Sequence, residues 1–433
     1  MGALKLRSRL MSFVRNSDGA AAVEEQSDGV LVIENGKITA VMDASDFEVK
    51  GNALSECEDL RSCIIFPGFI DTHVHMPQLG IMASYSDQLL DWLERYAFPA
   101  ETAFYDPAFA AAQAEHFLHR IIALGTTCAQ VFTTVHAHSC ESLFSAAEAK
   151  NMALVAGKVM MDRNAPEQLT QPPIPCAKDC EELINRWHGK GRARYALTPR
   201  FAITSSDEQL ALCGELLQGH TDVLLQTHLS ENLQEIAEVG RLFPHARDYL
   251  DVYEGHGLNC GDATFAHSIH LSPNERARLL DAGAKIAFCP SSNLFLGSGF
   301  LDIQSIPRSH LSIASDVGGG TGLSMLHTCV EAYKVAQAQG QRFHPFEAFY
   351  AITAGNAATL GLADEIGQLK SGLSADLVVF DPTKPSQLAR RLGTCVDLTE
   401  ELFAIMMLSD DRSISRCYIS GELVYEGTNQ TWA

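Results

Sequence analysis

The chain has 433 residues, 46% of them hydrophobic and 20% charged, which is typical of a folded globular protein and leaves room for a large barrel with an accessory domain. Asp and Glu (53) outnumber Lys and Arg (32), so the formal net charge is −21. Such a surface repels phosphate backbones and anionic lipid, and no apolar run approaches the roughly 18 residues of a membrane-spanning helix. We therefore expect binding neither to nucleic acid nor to membranes.

The cysteine content indicates a reducing environment. Twelve cysteines are too few for a disulfide scaffold of this length, and none of them forms a C-x-x-C pair. The basic segment 1–16 lacks the apolar stretch and the small-residue cleavage site of a signal peptide. We therefore predict that this segment is a strand of the mature protein and that the protein is cytoplasmic.

The two ends of the chain predict short strands. Residues 29–42 are two β-branched runs joined by Asn35-Gly36, a dipeptide that accepts the positive φ angles of a tight hairpin turn. Residues 374–380 and 416–426 also have the pattern of strands. We therefore predict a small β-sandwich domain formed by the N-terminal segment 1–64 and the C-terminal segment 367–433, the latter including a terminal extension.

The middle of the chain, residues 65–366, predicts an α/β fold of the (β/α)8 TIM-barrel type. Eight apolar runs alternate with longer helical stretches, and eight strands are the number that a closed barrel requires. The runs are Ile64–His73, Thr126–Thr134, Met152–Val159, Arg194–Phe201, Val223–His228, Thr264–His267, Lys285–Cys289 and Leu311–Ser315. The proline-containing segment 163–190 is predicted as a loop after the third strand. Chemistry is expected at the carboxyl ends of the strands.

Candidate metal ligands follow several of these runs. His73 and His75 alternate along the first run, so strand periodicity places both imidazoles on one face. His228 and Asp316 follow later runs. A divalent metal held by these four side chains would leave room for a water molecule, whose pKa such an ion lowers to roughly 7. The second His-x-His sequence, His136–His138, is not expected to bind metal, because its surroundings offer no such partners.

Three residues are candidates for proton transfer. Glu231, about one helical turn beyond His228, could shuttle protons, Asp316 could take the proton of the water, and His267 could orient the hydroxide. Each residue has an ordinary alternative: a solvated helix-start carboxylate for Glu231, a turn cap for Asp316 and a core histidine for His267. Whether His267 contacts the metal is left open. The fourth run has no lysine to bridge two ions, which favours one metal, and His/Asp sites accept zinc, iron or manganese.

The motifs resemble those of the amidohydrolase superfamily and, within it, of the guanine deaminase family. Pro67-Gly68-Phe69-Ile70-Asp71-Thr72-His73-Val74-His75 is similar to the metal signature of the superfamily. The more discriminating stretches are Gln78 after His75, Leu89–Tyr96, Phe98-Pro99-Ala100-Glu101, Thr198-Pro199-Arg200-Phe201, Gln226–Asn232, Ala266-His267 and Ser315–Gly319. The resemblance extends over nearly the whole chain.

The resemblance implies a hydrolase that deaminates guanine to xanthine and ammonia in purine catabolism, with one zinc ion per subunit and a homodimeric assembly. It implies that Gln78, Arg200 and Phe201, with Glu231 and Asp316, bind the purine. In the implied mechanism a zinc-activated hydroxide attacks C2 of guanine, Glu231 protonates N3, and Asp316 delivers a proton to the leaving amine.

A guanidinium, an amide and an aromatic face suit a planar neutral base that carries a carbonyl. Each of these residues again has an alternative: a structural ion pair for Arg200, ordinary core for Phe201 and a loop position for Gln78. Two rival functions remain. One is a related deaminase acting on 8-oxoguanine, an s-triazine or an adenosine derivative, and the other is a non-catalytic scaffold with the same fold.

Overall fold

Sixteen β-strands and sixteen α-helices form the regular structure of the computed structural model, which describes residues 2–220 and 222–427. The strands are β1 Leu4–Arg15, β2 Ala21–Glu34, β3 Lys37–Asp43, β4 Glu58–Pro67, β5 Phe69–His75, β6 Thr126–Phe132, β7 Ala153–Gly157, β8 Val159–Met160, β9 Ala193–Pro199, β10 Leu224–Leu229, β11 Ala263–His267, β12 Lys285–Phe288, β13 Leu311–Ile313, β14 Leu377–Phe380, β15 Ile414–Ile419 and β16 Glu422–Glu426.

The α-helices are α1 Ala44–Val49, α2 Leu89–Trp92, α3 Phe98–Thr102, α4 Pro107–Ala123, α5 Ala137–Ala149, α6 Pro173–Trp187, α7 Asp207–Gly219, α8 Leu233–Leu242, α9 Tyr249–Glu254, α10 Pro273–Asp281, α11 Pro290–Phe295, α12 Met325–Ala338, α13 Pro345–Tyr350, α14 Asn356–Thr359, α15 Ser386–Leu392 and α16 Leu398–Leu408. Within the described ranges, none of them combines the length and apolar character that crossing a bilayer requires.

Ten shorter helical turns complete the regular structure of the described residues. Two are π-helical, Leu93–Ala97 and Ala351–Gly355, and each continues a preceding α-helix. The others are 3₁₀ turns at Leu54–Glu56, Met76–Ile81, Ala103–Tyr105, Glu167–Leu169, Ala202–Thr204, Ile303–Ser305, Arg308–His310 and Asp411–Ser413.

The two ends of the chain, predicted to form a small β-sandwich domain, come together in a single mixed sheet of seven strands in the order β16-β15-β14-β4-β1-β2-β3. The hairpin predicted at residues 29–42 is confirmed as part of the β2–β3 pair, and its turn residues Asn35 and Gly36 have φ angles of 51° and 78°. The N- and C-terminal segments meet where β4 pairs antiparallel with β14. The predicted boundaries at residues 64 and 366 stay a prediction.

An aromatic cluster attaches this sheet to the rest of the molecule. Phe13 of β1 and Phe66 of β4 are fully buried and contact Phe349 of α13, with ring centroids 5.0 Å and 5.5 Å apart. Aromatic rings bury large apolar areas, so this contact contributes strongly to the attachment. The sheet is thereby packed against a helix that follows the last barrel strand.

The predicted barrel is confirmed as a nearly closed ring of eight parallel strands, in the order β13-β12-β11-β10-β9-β7-β6-β5, with the short β8 paired beside β9. The first and last strands meet through a backbone hydrogen bond from Asp316 to His73 (2.9 Å) and a bond between the Thr72 and Ser312 hydroxyls (2.9 Å). The carboxyl ends of all eight strands therefore face one side of the molecule.

The first predicted run, Ile64–His73, is in fact divided between the two sheets. Residues 64–67 belong to β4 of the small sheet, and the barrel strand begins at Phe69. Gly68 makes the transition, and a Cβ at this position would lie 1.9 Å from Oγ1 of Thr127. An uninterrupted apolar run conceals this change of sheet, because both strands are buried.

The prediction of a loop over residues 163–190 is wrong for most of that segment. Helix α6 occupies Pro173–Trp187 and buries Cys176, Cys180 and Leu183. Pro173 and Pro175 lie in its first turn, where a missing N–H costs no hydrogen bond and the fixed φ angle suits a helix. The prolines therefore mark the start of a helix.

Candidate active site

The predicted site residues lie at the carboxyl ends of five barrel strands. His73 and His75 are on β5, Arg200 follows β9, His228 and Glu231 are on or just after β10, His267 ends β11, and Asp316 follows β13. All of them are buried except His228, which is partly buried. His267 and Asp316 have φ angles of 66° and 50°, in the left-handed region that only a minority of non-glycine residues adopt.

Three imidazoles and one carboxylate converge on a single point. Nε2 of His75 lies 3.3 Å from Nε2 of His73 and 3.2 Å from Nε2 of His228. Oδ1 of Asp316 lies 3.1 Å from Nε2 of His73 and 3.2 Å from Nε2 of His75. Imidazole nitrogens crowded in this way repel one another through their lone pairs, whereas a shared cation would use every one of them. The donor set therefore fits a divalent metal ion.

His267 lies at the edge of the same cluster. Its Nε2 is 3.7 Å from Oδ2 of Asp316 and 3.4 Å from Oε2 of Glu231. Ligand atoms of His73, His228, His267 and Asp316 all lie within 4.8 Å of one another. His267 is therefore near enough to contact an ion held by this cluster. The assignment of individual ligands stays a prediction.

Hydrogen bonds at the far ring nitrogens prepare the histidines for a metal. Nδ1 of His228 lies 2.7 Å from the carbonyl oxygen of Arg200, and Nδ1 of His267 lies 2.8 Å from Oδ1 of Asn293. Both partners are acceptors, so each Nδ1 carries the proton and each Nε2 keeps a free lone pair. Burial also lowers the pKa of His75 to about 3 and that of His228 well below its usual value, which favours neutral rings.

Asp316 is ionised at neutral pH in this setting. Burial alone would raise its pKa, but the close contacts with His73 and His75 outweigh burial and hold the pKa well below its ordinary value. The segment that carries it is anchored by Asp71, whose carboxylate accepts hydrogen bonds from the Ser315 amide and hydroxyl. The turn-cap alternative therefore does not describe the Asp316 side chain, whose oxygens face imidazoles.

Glu231 is a buried carboxyl group suited to proton transfer. Its Oε1 accepts a hydrogen bond from the Ser298 hydroxyl at 2.8 Å, and its Oε2 faces His267. Burial, followed by the nearby charge of Asp316, raises the pKa of Glu231 to about 8. A carboxyl with this pKa is largely protonated at neutral pH and can donate its proton to a substrate. The alternative of a solvated helix-start carboxylate does not apply.

Glu235 is a site residue that the sequence interpretation missed. Its Oε2 accepts the backbone N–H groups of Glu231 (2.8 Å) and Asn232 (3.0 Å), and its Oε1 accepts the hydroxyl of Tyr249 (2.7 Å). Burial raises its pKa to about 7. The Asn232-x-x-Glu235 spacing of a helix capping box was the available signal. Glu235 thus fixes the backbone that carries Glu231.

A pocket opens above the histidine cluster. Its wall consists of His75, Gln78, Leu89, Trp92, Leu93, Arg200, Phe201, His228, Glu231, Glu235, His267, Leu296, Asp316 and Gly319. The three residues expected to bind a purine, Gln78, Arg200 and Phe201, are therefore all in this wall. Three of its apolar residues, Leu89, Trp92 and Leu93, come from the segment after β5 that carried the discriminating motif. A slot with an apolar side and a few convergent polar groups is typical of small-molecule sites.

Arg200 combines the two roles that the sequence left open. It lines the pocket, and its Nη1 also donates hydrogen bonds to both carboxylate oxygens of Glu101, at 2.6 Å and 2.8 Å. Glu101 lies within the quoted motif Phe98–Glu101, but the sequence assigned it no role. Nothing local indicates this contact, because the two residues are 99 positions apart.

The second His-x-His sequence lies outside the cluster. His136 precedes α5 and His138 lies in its first turn, where Nε2 of His138 donates to the carbonyl oxygen of Phe104 at 2.8 Å. Neither residue is among the described groups whose ligand atoms converge. The comparison of the two motifs shows that spacing alone does not identify a metal site.

Comparison with known proteins supports the family suggested by the motifs. Residues 64–424 match the model of the "Amidohydrolase family". Guanine deaminase of Escherichia coli (strain K12) is 43% identical over 409 residues, covering 94% of this chain and 93% of that protein.

Two solved structures extend the comparison. The E. coli guanine deaminase structure has a TM-score of 0.94 and 41% identity, covering 98% of this chain and 100% of that chain. Guanine deaminase from C. acetobutylicum, with guanine bound in its active site, has a TM-score of 0.86 and 29% identity over 98% of this chain and 100% of that chain. The chain therefore belongs to the amidohydrolase family.

Proposed function

We propose that this protein is a guanine deaminase, which hydrolyses guanine to xanthine and ammonia. The observation that carries the proposal is the meeting of three groups in one pocket: the His/Asp cluster, the buried carboxyl of Glu231 and the wall formed by Gln78, Arg200 and Phe201. The relatives named guanine deaminase, one of them with bound guanine, support the choice of substrate.

The cluster would hold one divalent ion, for which we propose zinc. His73, His75, His228 and Asp316 are the proposed ligands, and His267 lies within reach of the same ion. A bound ion of this kind acidifies a water molecule and so supplies a nucleophile at neutral pH. A donor set of imidazoles and a carboxylate accepts zinc as well as iron or manganese, and the choice of zinc rests on the family resemblance.

The other side chains of the pocket have proposed roles in substrate binding and in proton transfer. Gln78 and Arg200 would direct N–H groups at the purine oxygen and ring edge, while the Phe201 ring would pack against the base. Glu231 would donate its proton to N3 as C2 becomes tetrahedral. Asp316 would take up the water proton and pass it to the departing amine, and His267, which faces both carboxyl groups, would orient the attacking oxygen.

The expected setting of the reaction follows from its product. Xanthine formation would place the protein in purine catabolism, and the low cysteine content favours a cytoplasmic location. A homodimer stays an expectation from the family resemblance.

The proposal is tested by following xanthine formation from guanine by ultraviolet absorbance, on protein whose metal content has been counted. Adenine and 8-oxoguanine serve as parallel substrates. We expect turnover of guanine alone, with about one zinc per chain. Metal without guanine turnover would assign a different substrate within the family, and absence of both would support the scaffold alternative.

A further inference from the structure

Glu101 lies directly behind the pocket wall, with a side chain only 1% exposed. Its Oε1 accepts hydrogen bonds from Nη1 of Arg200 (2.6 Å) and from Nε2 of Gln78 (2.9 Å), and its Oε2 accepts one from the same Nη1 (2.8 Å). Glu101 does not line the pocket, whereas Arg200 and Gln78 do. Its hydrogen bonds to the pocket wall therefore act on a ligand through these two side chains.

The ion pair determines the charge of this part of the wall. Arg200 is 3% exposed, so bulk water and salt screen its charge poorly. One carboxylate on one guanidinium leaves the pair without net charge. Over the described residues, Nη1 makes the side-chain hydrogen bonds of Arg200, while Nε and Nη2 donate to no protein acceptor. The wall thus presents N–H donors without presenting a net positive charge.

Glu101 also determines which way the Gln78 amide faces. Because Nε2 of Gln78 donates to the Glu101 carboxylate, its Oε1 is directed elsewhere and accepts the backbone N–H of Gly318 at 3.2 Å. A flipped amide would place its oxygen against a carboxylate oxygen and lose both bonds. Gly318 follows Asp316 by two residues, so the orientation is linked to the segment that carries a proposed metal ligand.

We propose that Glu101 is a specificity-determining positioning residue, which restricts the pocket to neutral bases by neutralising Arg200 and fixing the amide of Gln78. The inference rests on the proposed function and names the substrate class of that site. A neutral base with a carbonyl accepts the offered N–H groups and adds no charge. An anionic purine adds a negative charge beside a carboxylate that already balances Arg200.

The test uses Glu101→Gln in the metal-loaded protein, with guanine as neutral substrate, urate as anionic ligand and xanthine at acidic pH as neutral ligand. We expect the KM for guanine to rise roughly tenfold to a hundredfold, because hydrogen bonds to a charged group are lost, with a smaller change in kcat. Binding of urate relative to neutral xanthine, measured by calorimetry, should strengthen about tenfold, since Arg200 is then uncompensated.

Two further variants separate this role from plain stability. Asp376→Asn breaks another buried pair, with Arg192, outside the pocket; it should lower stability and leave the ratio of urate to xanthine binding unchanged. Glu101→Asp keeps the charge but shortens the side chain, so it should raise the KM for guanine and retain the wild-type binding ratio. If Glu101→Gln does not fold, the ratio of urate to xanthine binding in Glu101→Asp is the test. A ratio different from that of the wild type then overturns the proposal.

The outcomes distinguish this inference from the proposed function. An unchanged binding ratio in folded Glu101→Gln overturns the specificity role, even if guanine is turned over. Absence of guanine turnover in the wild-type protein overturns the proposed function, whereas the calorimetric ratio still reports whether Glu101 sets the charge of the wall. An equal change in the ratio of urate to xanthine binding in Asp376→Asn would reduce the effect to general destabilisation and also overturn the inference.

Discussion

Glu101 and Glu231 are two carboxyl groups with nearly equal burial and different chemistry. Glu101 is 1% exposed and Glu231 3% exposed. The first contacts a guanidinium with both of its oxygens, whereas the second contacts a serine hydroxyl and His267, beside the charge of Asp316. Burial without a cation raises the pKa of Glu231 to about 8. The groups that contact a buried carboxyl, rather than its burial alone, therefore determine whether it forms a structural ion pair or is suited to proton transfer.

Among the variants that test this difference between the two carboxyl groups, we expect the largest effect from Glu231→Gln. The amide keeps the shape and the bond to Ser298 but has no acidic proton, so we expect kcat to fall by about 10²- to 10⁴-fold. The metal content should stay that of the wild type, since Glu231 is not a proposed ligand. Steady-state kinetics and metal analysis provide the measurement. Wild-type turnover would remove Glu231 from the proposed mechanism.

Arg200→Met tests the structural role assigned to Glu101. Without the guanidinium, Glu101 would be a buried carboxyl without a cationic partner, as Glu231 is. Removing one partner of a buried ion pair costs about 3–5 kcal/mol of unfolding free energy. We also expect weaker guanine binding, seen as a raised KM. Denaturant unfolding and kinetics would be compared with Arg194→Met, a matched loss of a partly exposed pair with Glu365, for which we expect about 1 kcal/mol or less. Equal losses in both variants would contradict the assigned difference.

Glu235 is a third buried carboxyl group, and its raised pKa should make the unfolding free energy depend on pH. Its folded-state pKa of about 7 exceeds the ordinary value of 4.5, so the folded chain retains a proton that the unfolded chain releases. The unfolding free energy should therefore fall as the pH rises from about 4.5 to 7, by at most about 3 kcal/mol from this group. Glu235→Gln should remove that fall, as measured by denaturant unfolding at several pH values. Parallel curves for the two proteins would contradict the assignment.

The smallest expected effect is that of Ser298→Ala. The serine hydroxyl donates to Glu231 and favours its charged form, which lowers the pKa of that carboxyl. Its loss should make Glu231 more fully protonated and change kcat by less than about tenfold, the range of one hydrogen bond. Ser291→Ala, which loses hydrogen bonds with the hydroxyl and the backbone N–H of Thr321 instead, is the control. A loss as large as that of Glu231→Gln would mean that Ser298 itself takes part in the reaction.

The sequence predicted those parts of the molecule that depend on local pattern. Alternation along a strand was enough to place His73 and His75 together, and the order of strands brought His228, His267 and Asp316 to the same edge. The barrel and the small sheet followed from the count and spacing of apolar runs.

Contacts between distant segments could not be predicted in this way. The pairing of Glu101 with Arg200 depends on how the segment after β5 folds over the barrel, and no local periodicity encodes that path. The prolines of α6 were misinterpreted because proline is compatible both with a loop and with the first turn of a helix. The division of the first run at Gly68 was concealed because both of its strands are buried and apolar.

The pairing of β4 with β14 has a consequence for synthesis of the chain. Residues 58–67 are made early, but their partner, residues 377–380, follows more than three hundred positions later. While the barrel segment between them emerges from the ribosome, β4 has one edge without a partner, and an apolar edge of this kind can pair with other chains. Completion of the small sheet is therefore a late event, and in a nascent chain halted before β14 this edge of β4 stays open to pairing with other chains.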